Sequence, residues 1–141
     1  MTHGITLEQA QEIIAAATRK AADEDLRMNV AVVDAGNNLT AFARMDGAWL
    51  GSIDIALDKA TTARSFNMPT SELAEMAQPG QPLYGIQNLT GSQGNIVVFA
   101  GGIPLQSGDT VIGAIGVSGG TPDQDAMVAQ TGADRLSETS T

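Results

Sequence analysis

VIGAIGVSGGTPD, residues 111–123, is a β-branched run that meets two glycines and then a helix start. The stretch 111–118 reads as a buried strand. Thr121 suits an N-cap, and Pro122 suits the first helical position, where a missing N–H costs nothing. Asp123 adds an acid to the first turn. Gly119 and Gly120 lack Cβ atoms, so backbone N–H groups at the mouth of that helix can face a ligand directly. The same strand–Gly–Gly–helix corner is also an ordinary way to turn the chain. A final helix is predicted over 122–136, followed by a polar tail over 137–141.

Working outward, Ser107-Gly108-Asp109 is turn chemistry, and 103–106 is a short extension. Its Pro104 confines it to a sheet edge or strand end. Gly101-Gly102 is a tight turn or bulge, and 95–100 is predicted to be a strand. The segment 83–93 has no decisive pattern, and QPGQP at 78–82 is loop. At the other end, Thr6 with Gln9 forms a capping box. Leu7, Ala10, Ile14, Ala17 and Ala21 then recur at helical spacing, predicting a helix to about Glu24. NVAVVD at 29–34 and a second strand at 39–45 flank Ala35-Gly36-Asn37-Asn38, which marks a hairpin. A second helix is predicted over 53–66 with Ser52 as its cap, and a third from a Thr70 cap to about Ala77. On the second helix Ile53, Ala56, Ala60 and Ala63 form one stripe, which Ile55 and Phe66 widen. Asp54, Asp58, Thr61 and Ser65 make its wet side. An apolar arc that wide points to a partner subunit, or Ile55 is a lone exposed apolar residue. Strands that follow one another through tight turns imply a mostly antiparallel sheet with helices packed on it, an α+β architecture. A parallel doubly wound sheet needs helices alternating with strands and does not fit.

The chain of 141 residues fits one domain, 1–141, with a core over about 5–136. Its net charge of −9, with no basic cluster, argues against a nucleic-acid partner. No apolar run approaches the roughly 20 residues of a membrane span. The start, MTHGITLEQ, lacks the basic and apolar blocks of a secretory signal, so the expected location is the cytoplasm. The absence of cysteine excludes disulfides, thiolate chemistry and Cys-rich zinc sites. The single histidine, His3, excludes a multi-histidine metal site within one chain, and its place in the terminus argues against a Ser–His–Asp triad. No metal site is expected.

Lys59 is the first candidate for chemistry. Its helical neighbours Ile55, Ala56, Thr62 and Ala63 are uncharged, so it is either a partly desolvated base or cation, or a lysine whose stem covers apolar surface. Arg44 and Asp46, in RMDG, can hold a carboxylate or order a turn, and Asp-Gly is primarily turn chemistry. Asp34 carries the same ambiguity. Trp49 and Tyr84 either line a ligand pocket or anchor the fold. Gly101, Gly102, Gly119, Gly120 and Thr121 are the backbone candidates for lining a ligand. Their spacing matches neither the dinucleotide fingerprint nor a phosphate-binding loop.

Taken in order, VAVVDAGNNL at 30–39, RMDGA at 44–48 and DIALDKATTA at 54–63 resemble the GlcG/HbpS-like family. PTSELA at 69–74, QPGQPLYGIQ at 78–87, VFAGGIPL at 98–105 and GAIGVSGGTPDQD at 113–125 continue that pattern. The resemblance spans about 5–136. It implies a profilin-like fold with a five-stranded antiparallel sheet flanked by helices, assembled into dimers or larger homo-oligomers. Some members bind or degrade haem, others accompany glycolate or propanediol utilisation, and the domain also forms the C-terminal part of some corrinoid adenosyltransferases. Haem iron is held by His, Cys, Met or Tyr. Here Cys is absent and the sole His, His3, precedes the first helix and does not lie within it, where some haem-binding relatives carry one. That leaves Met28, Met45, Met68, Met76, Met127 and Tyr84, whose spacing equally suits core packing.

Three functions follow from this reading. One is a binding protein for haem or another planar cofactor in a cleft between subunits. Another is an enzyme of proton transfer, with Lys59 as base or cation, Asp46 as its partner and N–H groups near Gly119–Thr121 holding an oxyanion. The last is an accessory or assembly protein without a ligand.

Overall fold

The computed structural model describes residues 4–91 and 94–139; His3 and residues 140–141 lie outside them. The chain forms α1 (Leu7–Asp23), β1 (Asn29–Asp34), β2 (Leu39–Arg44), α2 (Ser52–Phe66) and α3 (Thr70–Met76). A 3-10 turn (Ile86–Asn88) leads to β3 (Thr90–Gly91) and β4 (Gly94–Asn95). Then come β5 (Gly102–Ser107), β6 (Thr110–Ser118) and α4 (Pro122–Thr139).

The local signals act largely as read. At α1 the Gln9 N–H donates to Thr6 Oγ1 at 3.1 Å, and the Thr6 N–H donates to Gln9 Oε1 at 2.9 Å. Leu7, placed on the apolar stripe by its spacing, is instead exposed, and Ile13 is buried on that face. Ser52 is the first residue of α2 and gives no side-chain cap. Thr61, expected on the wet side, is buried beneath the hairpin turn, where Asn37 Nδ2 donates to its carbonyl at 3.3 Å. Asn67, in the left-handed conformation, ends α2 two residues before Pro69. Thr70 lies inside α3 with Pro69 at the cap, because its hydroxyl has another use: it accepts the Gly102 N–H of β5 at 2.9 Å. The helix α4 runs on to Thr139, into the segment expected as tail.

The main sheet is antiparallel with order β2-β1-β6-β5, so it has four strands where five were expected. The missing strand is 95–100. Only Gly94–Asn95 pairs, with Thr90–Gly91, in a separate two-stranded hairpin. The backbone that follows is tied to α2: the Thr62 hydroxyl donates to the Asn95 carbonyl at 3.3 Å and accepts the Val97 N–H at 3.1 Å. A helix side chain thus takes hydrogen bonds that a neighbouring strand would have received. Pro104 lies on β5, the edge strand, where a missing donor is tolerated.

Alternation along β1 and β6 divides the core. Val30, Val32, Ile115 and Val117 face α1 and α4, joining Ile13, Ala17 and Val128. Ala31, Val33 and Ala114 face α2, against Ala56, Ala60 and Ala63. That second layer consists almost wholly of small residues, so α2 comes close to the sheet. At Gly116 a Cβ would stand 2.0 Å from the Ala56 carbonyl oxygen and 2.6 Å from the Ala60 nitrogen. No larger residue fits there without moving backbone. This close approach brings α2 down onto the end of β6 where α4 begins. Among the described residues no helix is long and apolar enough to cross a membrane.

Candidate functional site

A cleft of about 410 Å³ opens where α2, the end of β6 and the start of α4 meet. One stripe of α2 lines it at helical spacing: Ser52, Ile55 and Lys59. Trp49, Phe99 and Pro122 add apolar walls; Ser118, Gly119, Gly120 and Asp125 complete it. Trp49 is 72 % exposed and Phe99 59 %, so both rings stand at the mouth with little cover. The Trp49 backbone, by contrast, is fixed. Its carbonyl accepts from Asn29 Nδ2 at 3.0 Å and from the Ser52 N–H at 3.2 Å.

Lys59 is 2 % exposed and is among the largest fully buried side chains of the described residues. Its ammonium donates to Asp125 Oδ2 at 2.8 Å and to the Val117 carbonyl at 2.9 Å. The lysine reaches past the end of the sheet and ties α2, on one face, to α4, on the other. Room for it exists because Gly101 and Gly102 lack side chains: a Cβ at Gly101 would lie 2.9 Å from Lys59 Nζ, and one at Gly102 2.4 Å from the Lys59 carbonyl oxygen. Burial lowers the Lys59 pKa from its ordinary 10.5, and the hydrogen bond and charge of Asp125 oppose that shift. Outside the cleft, burial raises the Asp58 carboxyl, opposed by hydrogen bonds from Asn95.

Lys59 and the Gly119-Gly120 corner therefore meet in one cleft, although they lie some sixty residues apart in sequence. The corner itself differs from expectation. The Gly120 N–H donates to Asp125 Oδ1 at 2.9 Å, and the Thr121 N–H donates to Gln124 Oε1 at 2.9 Å. The Gln124 N–H donates in turn to Thr121 Oγ1 at 3.2 Å, closing a capping box. Two donors expected to hold an oxyanion are thus already taken by side chains of α4. Gly119 is required by shape: its φ is +141°, and a Cβ there would lie 2.5 Å from the Arg27 carbonyl oxygen.

Other candidates fall elsewhere. The carboxylate at Lys59 is Asp125; Asp46 is exposed in the turn after β2 and does not pair with it. Arg44 donates to the Ala48 carbonyl at 3.0 Å and so orders that turn. Tyr84 is exposed in the segment after α3 and does not line the cleft. The Asp34 carboxylate accepts the N–H groups of Gly36 and Asn38, both at 2.9 Å, as a turn-former does. Asp125, which the sequence reading does not single out, is the acid that pairs with Lys59, and its signal is positional. It precedes Val128, Ala129, Gly132 and Leu136 on the buried stripe of α4, where an acid has no business unless paired. Asn29 is a second buried polar residue that the sequence reading does not single out. It is fully buried opposite Ser118 across the β1–β6 pair, and its Oδ1 has no hydrogen-bond partner.

With the geometry in place, kinship can be stated. A family model described as "Haem degrading protein HbpS-like" matches residues 5–134. The chain belongs to the HbpS-like family. It is 44 % identical over 134 residues to an uncharacterized 15.0 kDa protein of the dhaT–dhaS intergenic region of Citrobacter freundii, covering 95 % of this chain and 93 % of that one. The crystal structure of Klebsiella pneumoniae protein ORFY superposes with a TM-score of 0.91 at 42 % identity, over 97 % of this chain and 93 % of that one. The crystal structure of a PduOC:haem complex superposes with a TM-score of 0.87 at 32 % identity, over 94 % of each chain. Kinship makes haem a candidate ligand. The residues lining this HbpS-like cleft include no His, Cys, Met or Tyr, so the cleft does not fit a haem whose iron is ligated by protein.

Proposed function

We propose that this HbpS-like chain is a small-ligand-binding protein whose ligand is an uncharged, largely apolar molecule carrying a carbonyl or hydroxyl oxygen. The observation that carries this reading is the neutralised cation at the base of an apolar mouth. Lys59 offers a strong donor, but Asp125 stands 2.8 Å from it, so a carboxylate ligand would meet a negative charge as well as a positive one. A neutral oxygen accepts from the ammonium without that repulsion. Trp49, Ile55, Phe99 and Pro122 cover the ligand body, and the volume lies within the range of about 300–1,000 Å³ common for small-molecule pockets. The exposed ring of Trp49, Leu50, Ile55 and Phe99 also supports a second copy of the chain closing over the mouth, as the family resemblance implies.

The test uses the single tryptophan, Trp49, as reporter. Benzyl alcohol and benzamide are expected to quench its fluorescence saturably, with benzoate binding at least 10-fold more weakly. Phe99→Ala, at the exposed rim, is expected to weaken the neutral ligands. Benzoate binding as well as benzamide, or indifference to Phe99→Ala, would refute the reading.

The solved PduOC:haem complex favours a second reading, in which this chain also carries haem. Its iron ligand would come from outside the cleft. A haemin titration that gives a saturating Soret shift supports this reading, and an unshifted, non-saturating spectrum removes it.

A further inference from the structure

Lys59 and Asp125 are more than a tie between α2 and α4. Three features meet at the ammonium nitrogen. It lies at the base of a cleft with apolar walls, so water is largely excluded from it. A carboxylate oxygen stands within proton-transfer distance, 2.8 Å, and its partner oxygen is held by the Gly120 N–H at 2.9 Å. The Gly101 backbone packs so close to Nζ that a Cβ there would stand 2.9 Å from it, which holds the ammonium in place. Desolvation activates a lysine amine as a nucleophile, and a carboxylate at hydrogen-bond distance can take up the proton that the ammonium must first lose.

We propose that Lys59 forms an imine with an aldehyde or ketone held in the cleft, with Asp125 moving the protons. This deepens the cleft-binding reading and rests on it. The Lys59 ammonium gives a proton to Asp125 Oδ2. The freed lone pair on Nζ attacks the carbonyl carbon, forming the N–C bond, and the carbonyl π pair moves to oxygen. Asp125 returns its proton to that oxygen and takes one from the nitrogen, leaving a neutral carbinolamine. The carbinolamine then loses its C–O bond as Asp125 delivers the proton that makes water, and the nitrogen lone pair closes the C=N bond. The sum is one ammonium plus one carbonyl giving one iminium plus one water. Lowering of the lysine's pKa by burial favours the first transfer.

The experiment exploits the sequence, which holds just two lysines, Lys20 and Lys59. The full chain is incubated near neutral pH with benzaldehyde and sodium cyanoborohydride, and the reduced adduct is located by intact-mass and peptide mass spectrometry. Of the two lysines, Lys59 is expected to be labelled ahead of the more exposed Lys20, the peptide spectra separating both from labelling of the α-amino group. Lys59→Arg, which keeps the charge, is expected to carry none at position 59. Asp125→Asn keeps the shape and is expected to slow labelling of Lys59 by about 100-fold or more, the usual contribution of a positioned acid–base group. Labelling spread equally over Lys20 and Lys59, or an unlabelled Lys59, overturns the proposal. Benzyl alcohol, which cannot form an imine, separates the two readings. If it quenches Trp49 saturably while benzaldehyde leaves Lys59 unlabelled, the imine is wrong and the cleft reading stands. If benzyl alcohol also fails to quench, both fall.

Discussion

Cutting the Lys59–Asp125 pair from one side is expected to cost this protein about 3 kcal/mol or more, because removing one partner of a buried pair strands the other. The two side chains are 2 % and 5 % exposed, so solvent screens neither. In Lys59→Met the Asp125 carboxylate keeps the Gly120 N–H and sits in the first turn of α4, where the helix dipole favours it by about 0.3–1 kcal/mol. That places the loss near the lower end of the usual range of about 3–5 kcal/mol. In Asp125→Leu the ammonium retains only the Val117 carbonyl, and the Gly120 N–H loses its acceptor. The lysine can escape by giving up its proton, which at pH 7 costs about 5 kcal/mol from an ordinary value of 10.5 and so caps the electrostatic part of the loss. The double variant Lys59→Met/Asp125→Leu strands no charge and is expected to be less destabilised than either single one. Urea melts with unchanged slopes measure all three, and a 3 kcal/mol loss corresponds to a fall in Tm of roughly 6–12 °C. Single variants that each cost under about 1 kcal/mol and simply add would show that the pair contributes nothing, and the reasoning would fail.

Four further outcomes are expected. Gly116→Val should lower stability by about 3 kcal/mol or more in the same melts, because the new side chain meets α2 backbone on contact; a loss under 1 kcal/mol would mean that α2 is not seated as described. Thr70→Val should cost about 1–3 kcal/mol, since the buried Gly102 N–H loses its acceptor at 2.9 Å, and melts that match wild type would deny that bond any value. The folded-state pKa of Lys59 is lowered, so between that value and 10.5 the unfolded chain binds more protons and stability from this group rises with pH; the difference in urea midpoint between wild type and Lys59→Met should grow as pH rises towards 10.5, and a flat difference contradicts the shift. Ile55→Glu should reduce the mass seen by light scattering if a second copy covers the rim, and a wild-type monomer disposes of that contact.

The sequence by itself determined the elements wherever a short-range rule decides them. Thr6 with Gln9, the Asn37 turn, Pro104 on an edge strand and Thr121-Pro122 at the head of α4 each act through neighbours a few residues away. The family motifs likewise lie in the chain itself and place it among HbpS-like proteins before any contact is known. Tertiary structure alone decided which hydrogen-bonding groups remain free. Residues 95–100 have the composition of a strand, yet Thr62, more than thirty residues away, bonds the Asn95 carbonyl and the Val97 N–H, and the main sheet has four strands. Lys59 was visible as a lysine in apolar company, but its partner proved to be Asp125, brought 66 positions back along the chain by the turn at Gly119 and the close seating of α2 at Gly116. Local rules read hydrogen bonds within a turn of the backbone, whereas a charge buried between two layers finds its partner only when both layers have packed.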